Sequence, residues 1–217
     1  PGQDVAAAIA DLRAASELGP AHISWYQLTL EPNTVFHARP PANLPDNDLG
    51  FEIQIAGQTF LAERGFLQYE TSAYAQDKAQ RCRHNLNYWT FGDYLAVGAG
   101  AHGKFSTANT VYRYAKPANP LKYMECMEQA QAPAEEVPLQ VADLVFEFML
   151  NALRLTGGFE EALFVRRTGL ASSVLRPGLE KCREKGLLEQ PREGSWRASG
   201  LGQRFLNDLQ AEFLPAP

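Results

Sequence analysis

Cys82-Arg83-His84-Asn85-Leu86-Asn87-Tyr88-Trp89 is the stretch on which the reading of this chain turns, together with Gly98-Ala99-Gly100-Ala101-His102-Gly103 a few residues later. The two runs bring together a thiol, two imidazoles, two amides, two large aromatics and three glycines. Aromatic side chains supply flat walls for a large ligand, and a few placed polar groups orient or ligate it. Glycines let backbone approach that ligand closely. Tyr88 and Trp89 are neighbours, so on a strand they face opposite ways and on a helix they diverge by about 100°. Both cannot stack on one ligand face, and core packing is the default for at least one of them.

Outward from this stretch, the N-terminal side alternates helix and strand. Residues 4–18 read as a helix capped by Asp4, with Val5, Ile9 and Leu12 on one face and Gly19-Pro20 as its stop. His22 to Leu30 reads as a strand apolar on both faces, which suits a parallel strand under helices. A proline-rich loop runs to Pro45. Residues 47–64 form a helix with Leu49, Ile53, Ala56 and Phe60 on its face, and Phe66 to Thr71 a short strand. This order predicts an α/β fold with a parallel sheet or barrel. Glu31, Glu70 and Ser72 fall at strand ends, where barrel chemistry gathers; each reads equally as a loop residue or cap.

Tyr94 to Gly98 is predicted as a third strand and Lys104 to Tyr114 as a further strand or hairpin. Gly98-x-Gly100-x-x-Gly103 matches the dinucleotide fingerprint by letter. That motif must open a helix to hold a pyrophosphate, and Lys104-Phe105-Ser106-Thr107 continues as strand. From Val137 helices dominate: Leu139 to Thr156 with Pro138 in its first turn, Phe159 to Arg167, Ser172 to Lys185, and Gly202 to Phe213. A hairpin is predicted from Leu187-Leu188-Glu189 and Trp196-Arg197-Ala198. Helix, helix, hairpin, helix is a winged-helix-like order. The boundary is placed at 132/133, giving domains 1–132 and 133–217.

Net charge is −5, with 45% hydrophobic and 21% charged residues, as in a globular protein. The acidic balance argues against nucleic acid and anionic membrane as partners. Residues 137–217 carry ten acidic and ten basic residues, so a DNA reader there lacks a phosphate-neutralising field. No apolar run is long enough for a membrane span. Cys82, Cys126 and Cys182 are odd in number and dispersed, which suggests a reducing, cytoplasmic setting. Cys126 and Cys182 lack the spacing of a metal site and read as structural.

His84 to Trp89 reads as H-N-x-x-Y-W and Gly98 to Gly103 as G-x-G-A-H-G. Both resemble the HemW-type heme chaperones, a branch of the oxygen-independent coproporphyrinogen III oxidase family of radical SAM proteins. The resemblance runs from Pro1 to the C-terminal tail. It implies the later part of a partial (β/α) barrel followed by a helical, winged-helix-like domain. It also implies a C-terminal portion, since the family's C-x-x-x-C-x-x-C signature for a [4Fe–4S] cluster and SAM is not in this sequence.

The resemblance associates His84, Asn85, Tyr88 and Trp89 with heme binding. Imidazole and thiolate are both axial ligands of heme iron, so Cys82 competes with His84. Each also has a plainer reading, as an inert thiol and as a loop histidine. Asn87 falls where related oxidases carry a SAM-contacting Gln, and Gly98, Gly100 and His102 border the SAM pocket, making a partial site. The implied partners are heme and a recipient protein, with self-association through a truncated sheet edge. Two rivals stand: a true coproporphyrinogen III oxidase acting through a SAM-derived radical, and a non-enzymatic winged-helix interaction module. For this portion alone the expectation is no turnover.

Overall fold

The computed structural model describes residues 1–108, 110–129 and 136–215. They form two compact units, Pro1–Cys82 and Arg83–Pro217, each considered by itself. The expected boundary at 132/133 lies outside the described residues.

In the first unit, helix α1 (Val5–Glu17) starts where the Asp4 carboxylate accepts the Ala7 N–H at 2.8 Å. Strand β1 (His22–Ser24) follows, then one helical turn, α2 (Val35–Ala38). Helix α3 (Asn47–Glu63) is capped by Asp46 on the Leu49 N–H at 2.9 Å. Strands β2 (Leu67–Glu70) and β3 (Ala73–Ala75) close the unit. α1 packs beside α3. Leu12, Ile23, Phe60, Leu61, Phe66 and Tyr74 form the core, as the helical spacing of Ile53 and Phe60 leads one to expect.

The sheet corrects the parallel expectation. Its order is β1-β3-β2, and β3 runs antiparallel to both neighbours. β1 and β2 do share a direction, as a strand-helix-strand unit requires, but the short β3 sits between them. β1 is also shorter than predicted. Its ladder ends where the Trp25 N–H meets the Ser72 carbonyl at 2.8 Å, because the partner strand turns away there. Residues 25–30 therefore continue without a partner strand, and Tyr26 is 76% exposed rather than buried. Among the described residues no closed barrel forms; the architecture is mixed α/β.

In the second unit, helix α4 (Arg83–Trp89) leads to an antiparallel hairpin of β4 (His102–Ser106) and β5 (Val111–Ala115), as predicted for 104–114. Helix α5 (Pro120–Glu128) follows, then β6 (Val137–Pro138), which pairs with β5 and places Pro138 in a sheet edge rather than a first helical turn. The predicted strand at 94–98 is only a single bridge, Tyr94 to Lys104. Beyond it the Ala96 N–H donates to the Tyr114 hydroxyl at 2.9 Å instead of a ladder carbonyl, and Leu95 and Val97 stay exposed.

Helix α6 (Val141–Ala152), strand β7 (Phe159–Glu160), helices α7 (Glu161–Thr168) and α8 (Arg176–Glu184), and hairpin β8 (Leu188–Arg192) to β9 (Ser195–Ala198) come next. β7 adds to β9, completing the order β7-β9-β8. Two short helices, α9 (Gly200–Arg204) and α10 (Leu206–Ala211), follow. Phe148, Phe164, Leu179, Trp196 and Leu209 are fully buried in one cluster, with Phe148 edge-on to Phe159 and Phe164. Burial on that scale, at about 1.5–3 kcal/mol per large apolar side chain, is what holds these short elements together.

Candidate functional site

The conspicuous motif is the helix α4, and its sequence explains its ends. Main-chain bonds hold it at its exit. There the Phe91 N–H reaches the Tyr88 carbonyl at 2.9 Å and the Gly92 N–H reaches the Asn87 carbonyl at 2.7 Å. That pair of bonds is the Schellman stop, with Phe91 at φ 55° in the left-handed position where glycine is usual. Gly92 is needed beside it: a Cβ there would sit 2.0 Å from the Asn87 Oδ1. The Asn87 amide also donates to the Asp93 carbonyl at 2.9 Å.

Asp93 extends the brace into the hairpin. Its carboxylate accepts from Lys104 Nζ at 2.7 Å and from the Ser106 N–H and hydroxyl at 2.9 and 2.8 Å. Lys104 is fully buried, with its ammonium 4.2 Å from the centre of the Phe91 ring. Burial opposes the charge of both partners. It pulls the ammonium of Lys104 down against the pull of Asp93, whereas the contacts from Lys104 and Ser106 outweigh burial and hold the carboxyl of Asp93 below the usual range.

His84 and Tyr88, one turn apart, share a face of α4. His84 is exposed, and its ring stands edge-on to Tyr88 at 4.8 Å between centroids. Tyr88 is backed by Tyr94 at 4.5 Å. Trp89 points elsewhere, as the helical offset requires. The Arg154 guanidinium lies 4.3 Å from the centre of its indole, and the indole N–H is buried without a hydrogen-bond partner among the described residues. Trp89 is thus a packing residue on its Arg154 side. Asn85 is half-buried on the same helix, and the half-buried Cys82 just before it gives its main-chain N–H to the Tyr69 hydroxyl at 3.1 Å.

The glycine run forms a turn and opens no helix. Gly98 and Gly100 take φ 97° and 72°, conformations that side-chain-bearing residues rarely adopt. The Gly100 N–H bonds the Pro117 carbonyl at 2.9 Å, and His102 begins β4, exposed and paired with Ala115. Gly103 lets the Tyr114 ring lie against the strand, where a Cβ would come within 2.2 Å of it. A strand in place of a helix leaves no dinucleotide site.

Of the strand-end carboxylates, Glu31 is exposed and Glu70 is buried, accepting the Ser72 N–H at 3.2 Å across the turn. The sequence reading missed a cleft of about 400 Å³ in the first unit, bounded by Trp25, Gln27, Leu44, Ile53, Gln54 and Tyr74. No motif marks it, because its walls come from separate elements. Burial, against the pull of a Gln58 hydrogen bond and with help from Glu70, pushes the Tyr74 phenol up to about 12. Among the described residues no three His, Cys, Asp or Glu side chains gather as a metal site would need.

Comparison with known proteins bears on the whole chain. Residues 139–205 match the HemN C-terminal domain. The chain is 41% identical over 99% of its length to the heme chaperone HemW of Escherichia coli (strain K12), and 41% identical over 99% to that of Haemophilus influenzae (strain ATCC 51907 / DSM 11121 / KW20 / Rd). It covers 55% and 54% of those two proteins, about half the length of each. A solved structure of the coproporphyrinogen III oxidase HemN from Escherichia coli, titled a radical SAM enzyme, superposes with a TM-score of 0.70 over 98% of this chain and 52% of that one. At 16% identity that likeness is one of fold.

Proposed function

We propose that this chain, a homologue of the HemW heme chaperones, is a heme-holding portion of such a protein, with His84 as the axial imidazole and Tyr88 as the wall beside it. The observation that carries the reading is the exposed His84 ring set edge-on to a Tyr88 that is itself backed by Tyr94. Heme needs an apolar wall, an axial ligand and a cation for its propionates. α4 offers the first two, and the exposed Arg83 offers the third through a charge-assisted pair. Asn85 adds a polar contact, and Trp89, braced by Arg154, fixes the helix from its other side. Cys82 remains the competing ligand.

In the same reading, residues 1–132 are the later part of a partial (β/α) barrel and residues 133–217 a winged-helix-like domain. Asn87, Gly98, Gly100 and His102 then border a SAM pocket completed, with a [4Fe–4S] cluster, in the longer relatives. The setting is cytoplasmic, and the heme passes to a recipient protein. No helix among the described residues is long and apolar enough to cross a membrane.

Release is what distinguishes a chaperone from a resident hemoprotein. The hemin-loaded chain is expected to surrender its heme to an excess of an apo-hemoprotein, followed by absorbance of the acceptor's Soret band. Retention of the heme under those conditions contradicts delivery. Decarboxylation of a coproporphyrinogen by the longer protein, with SAM consumed, points instead to the oxidase.

A further inference from the structure

A chain of contacts leads away from the motif to a helix of the region matched as the HemN C-terminal domain. His84 meets Tyr88, Tyr88 meets Tyr94, and the Tyr94 hydroxyl accepts a hydrogen bond from Arg113 Nη1. Arg113 stands on β5 and is held by Glu147 of α6, whose Oε2 accepts from Nε at 2.8 Å and from Nη2 at 2.5 Å. Neither member of the pair is freely exposed, with side chains 27% and 21% accessible. Burial alone would lower the guanidinium's affinity for its proton; Glu147, and then Tyr94, outweigh it and keep the group charged.

We infer that Arg113, clamped by Glu147, is a positioning residue that fixes Tyr94 behind Tyr88 and thereby sets how His84 is presented. The inference rests on reading His84 as the ligand. A helix of only seven residues does little to order its own exposed side chains. Their orientation must come from what packs on them. An ion pair serving only to join β5 to α6 would be complete with Glu147. The third contact, from Arg113 to a phenol that lies on the motif, goes beyond that duty, and a planar fork can serve both partners at once.

The test uses this chain carrying Arg113→Gln, Arg113→Lys or Tyr94→Phe, with Glu189→Gln, in an exposed pair with Arg197, as control. Before any heme is added, the His84 ring protons are followed by NMR, because an aromatic ring edge at this distance displaces them. Hemin is then titrated by its Soret band. Arg113→Gln and Tyr94→Phe should move the His84 resonances toward those of free histidine and weaken hemin binding by about five- to twentyfold. Arg113→Lys should recover part of both, and Glu189→Gln neither effect.

Unmoved His84 resonances in folded Tyr94→Phe and Arg113→Gln chains overturn the inference, as do moved resonances with hemin affinity unchanged. If the unaltered chain binds no hemin yet the resonances move as expected, the heme reading fails while the positioning of the rings by Arg113 stands. Should Arg113→Gln fail to fold, Tyr94→Phe, which removes one oxygen and leaves the Arg113–Glu147 pair in place, carries the test alone.

Discussion

Phe91 takes a backbone conformation that suits glycine, and its side chain explains why glycine is not there. The left-handed position costs a bulky residue about 1–2 kcal/mol. Its ring is buried against Phe148 at 5.9 Å and beneath the Lys104 ammonium, and deleting a buried Phe costs about 3–5 kcal/mol. Burial wins. Phe91→Gly is therefore expected to destabilise the second unit by about 2–3 kcal/mol despite relieving the backbone, read as a lower urea midpoint. A midpoint at or above that of the unaltered chain would show that strain outweighs packing. The sequence shows the motif plainly but not this stop, because the glycine signal it offers, Gly92, falls one residue later than the left-handed turn. It also leaves His84 open between ligand and loop histidine; exposure and the ring partner are properties of the fold.

Cys182 makes a second argument at this scale. It is fully buried on α8, and burial, with a smaller push from Glu212, raises its thiol from 9.0 to about 11. At pH 8, iodoacetamide should modify the half-buried Cys82 and Cys126 and spare Cys182 until the chain is denatured, as read by mass spectrometry. Equal modification of all three in the native chain would contradict this. The linkage has a definite sign. The raised pKa favours the folded state below about pH 9, and that contribution is lost as pH rises through the folded value near 11. Stability of the second unit should accordingly fall across pH 9–11.

Among elements, α1, α3 and the β4–β5 hairpin follow directly from spacing and capping residues in the sequence. The sheet of the first unit does not. β3 is three residues long, Ala73-Tyr74-Ala75, too short to carry a periodicity, yet it decides whether neighbours run parallel or antiparallel. β1 consequently lies at the sheet's edge, paired on one side with β3 alone. Trp25 bonds β3 through its N–H, so by antiparallel alternation Ser24 turns its own N–H and carbonyl to the open side. Such edges pair with other chains. We expect concentration-dependent self-association by light scattering, abolished by Ser24→Pro. Proline at that position removes an outward donor and leaves the ladder to β3 intact. Association that persists in a folded Ser24→Pro chain would place the contact elsewhere.

For the whole molecule, charge bears on partners. The element order in the sequence predicts a DNA-reading place for α8, but Arg183 pairs with Glu180, and Lys181 and Lys185 pair with Glu212. Those three cations already face carboxylates, and residues 137–217 carry ten acidic and ten basic residues, so DNA binding should stay at or below non-specific strength with little salt dependence; a sequence-selective shift would revive the interaction module. The likeness to the HemW proteins, the mixed α/β class and the helix-rich C-terminal region were legible because they rest on a specific motif and on long periodic helices. The cleft beside Trp25 and the Arg113–Glu147 clamp were not, because they arise from residues far apart in sequence.

Hemin titration of this chain beside His84→Ala and Cys82→Ala tests the central claim most directly. The account predicts a shifted Soret band for the unaltered chain. His84→Ala should lose about 1–3 kcal/mol of affinity, roughly five- to 150-fold, with an altered spectrum, and Cys82→Ala should lose less. A His84→Ala chain that binds hemin with unchanged spectrum and affinity would contradict it.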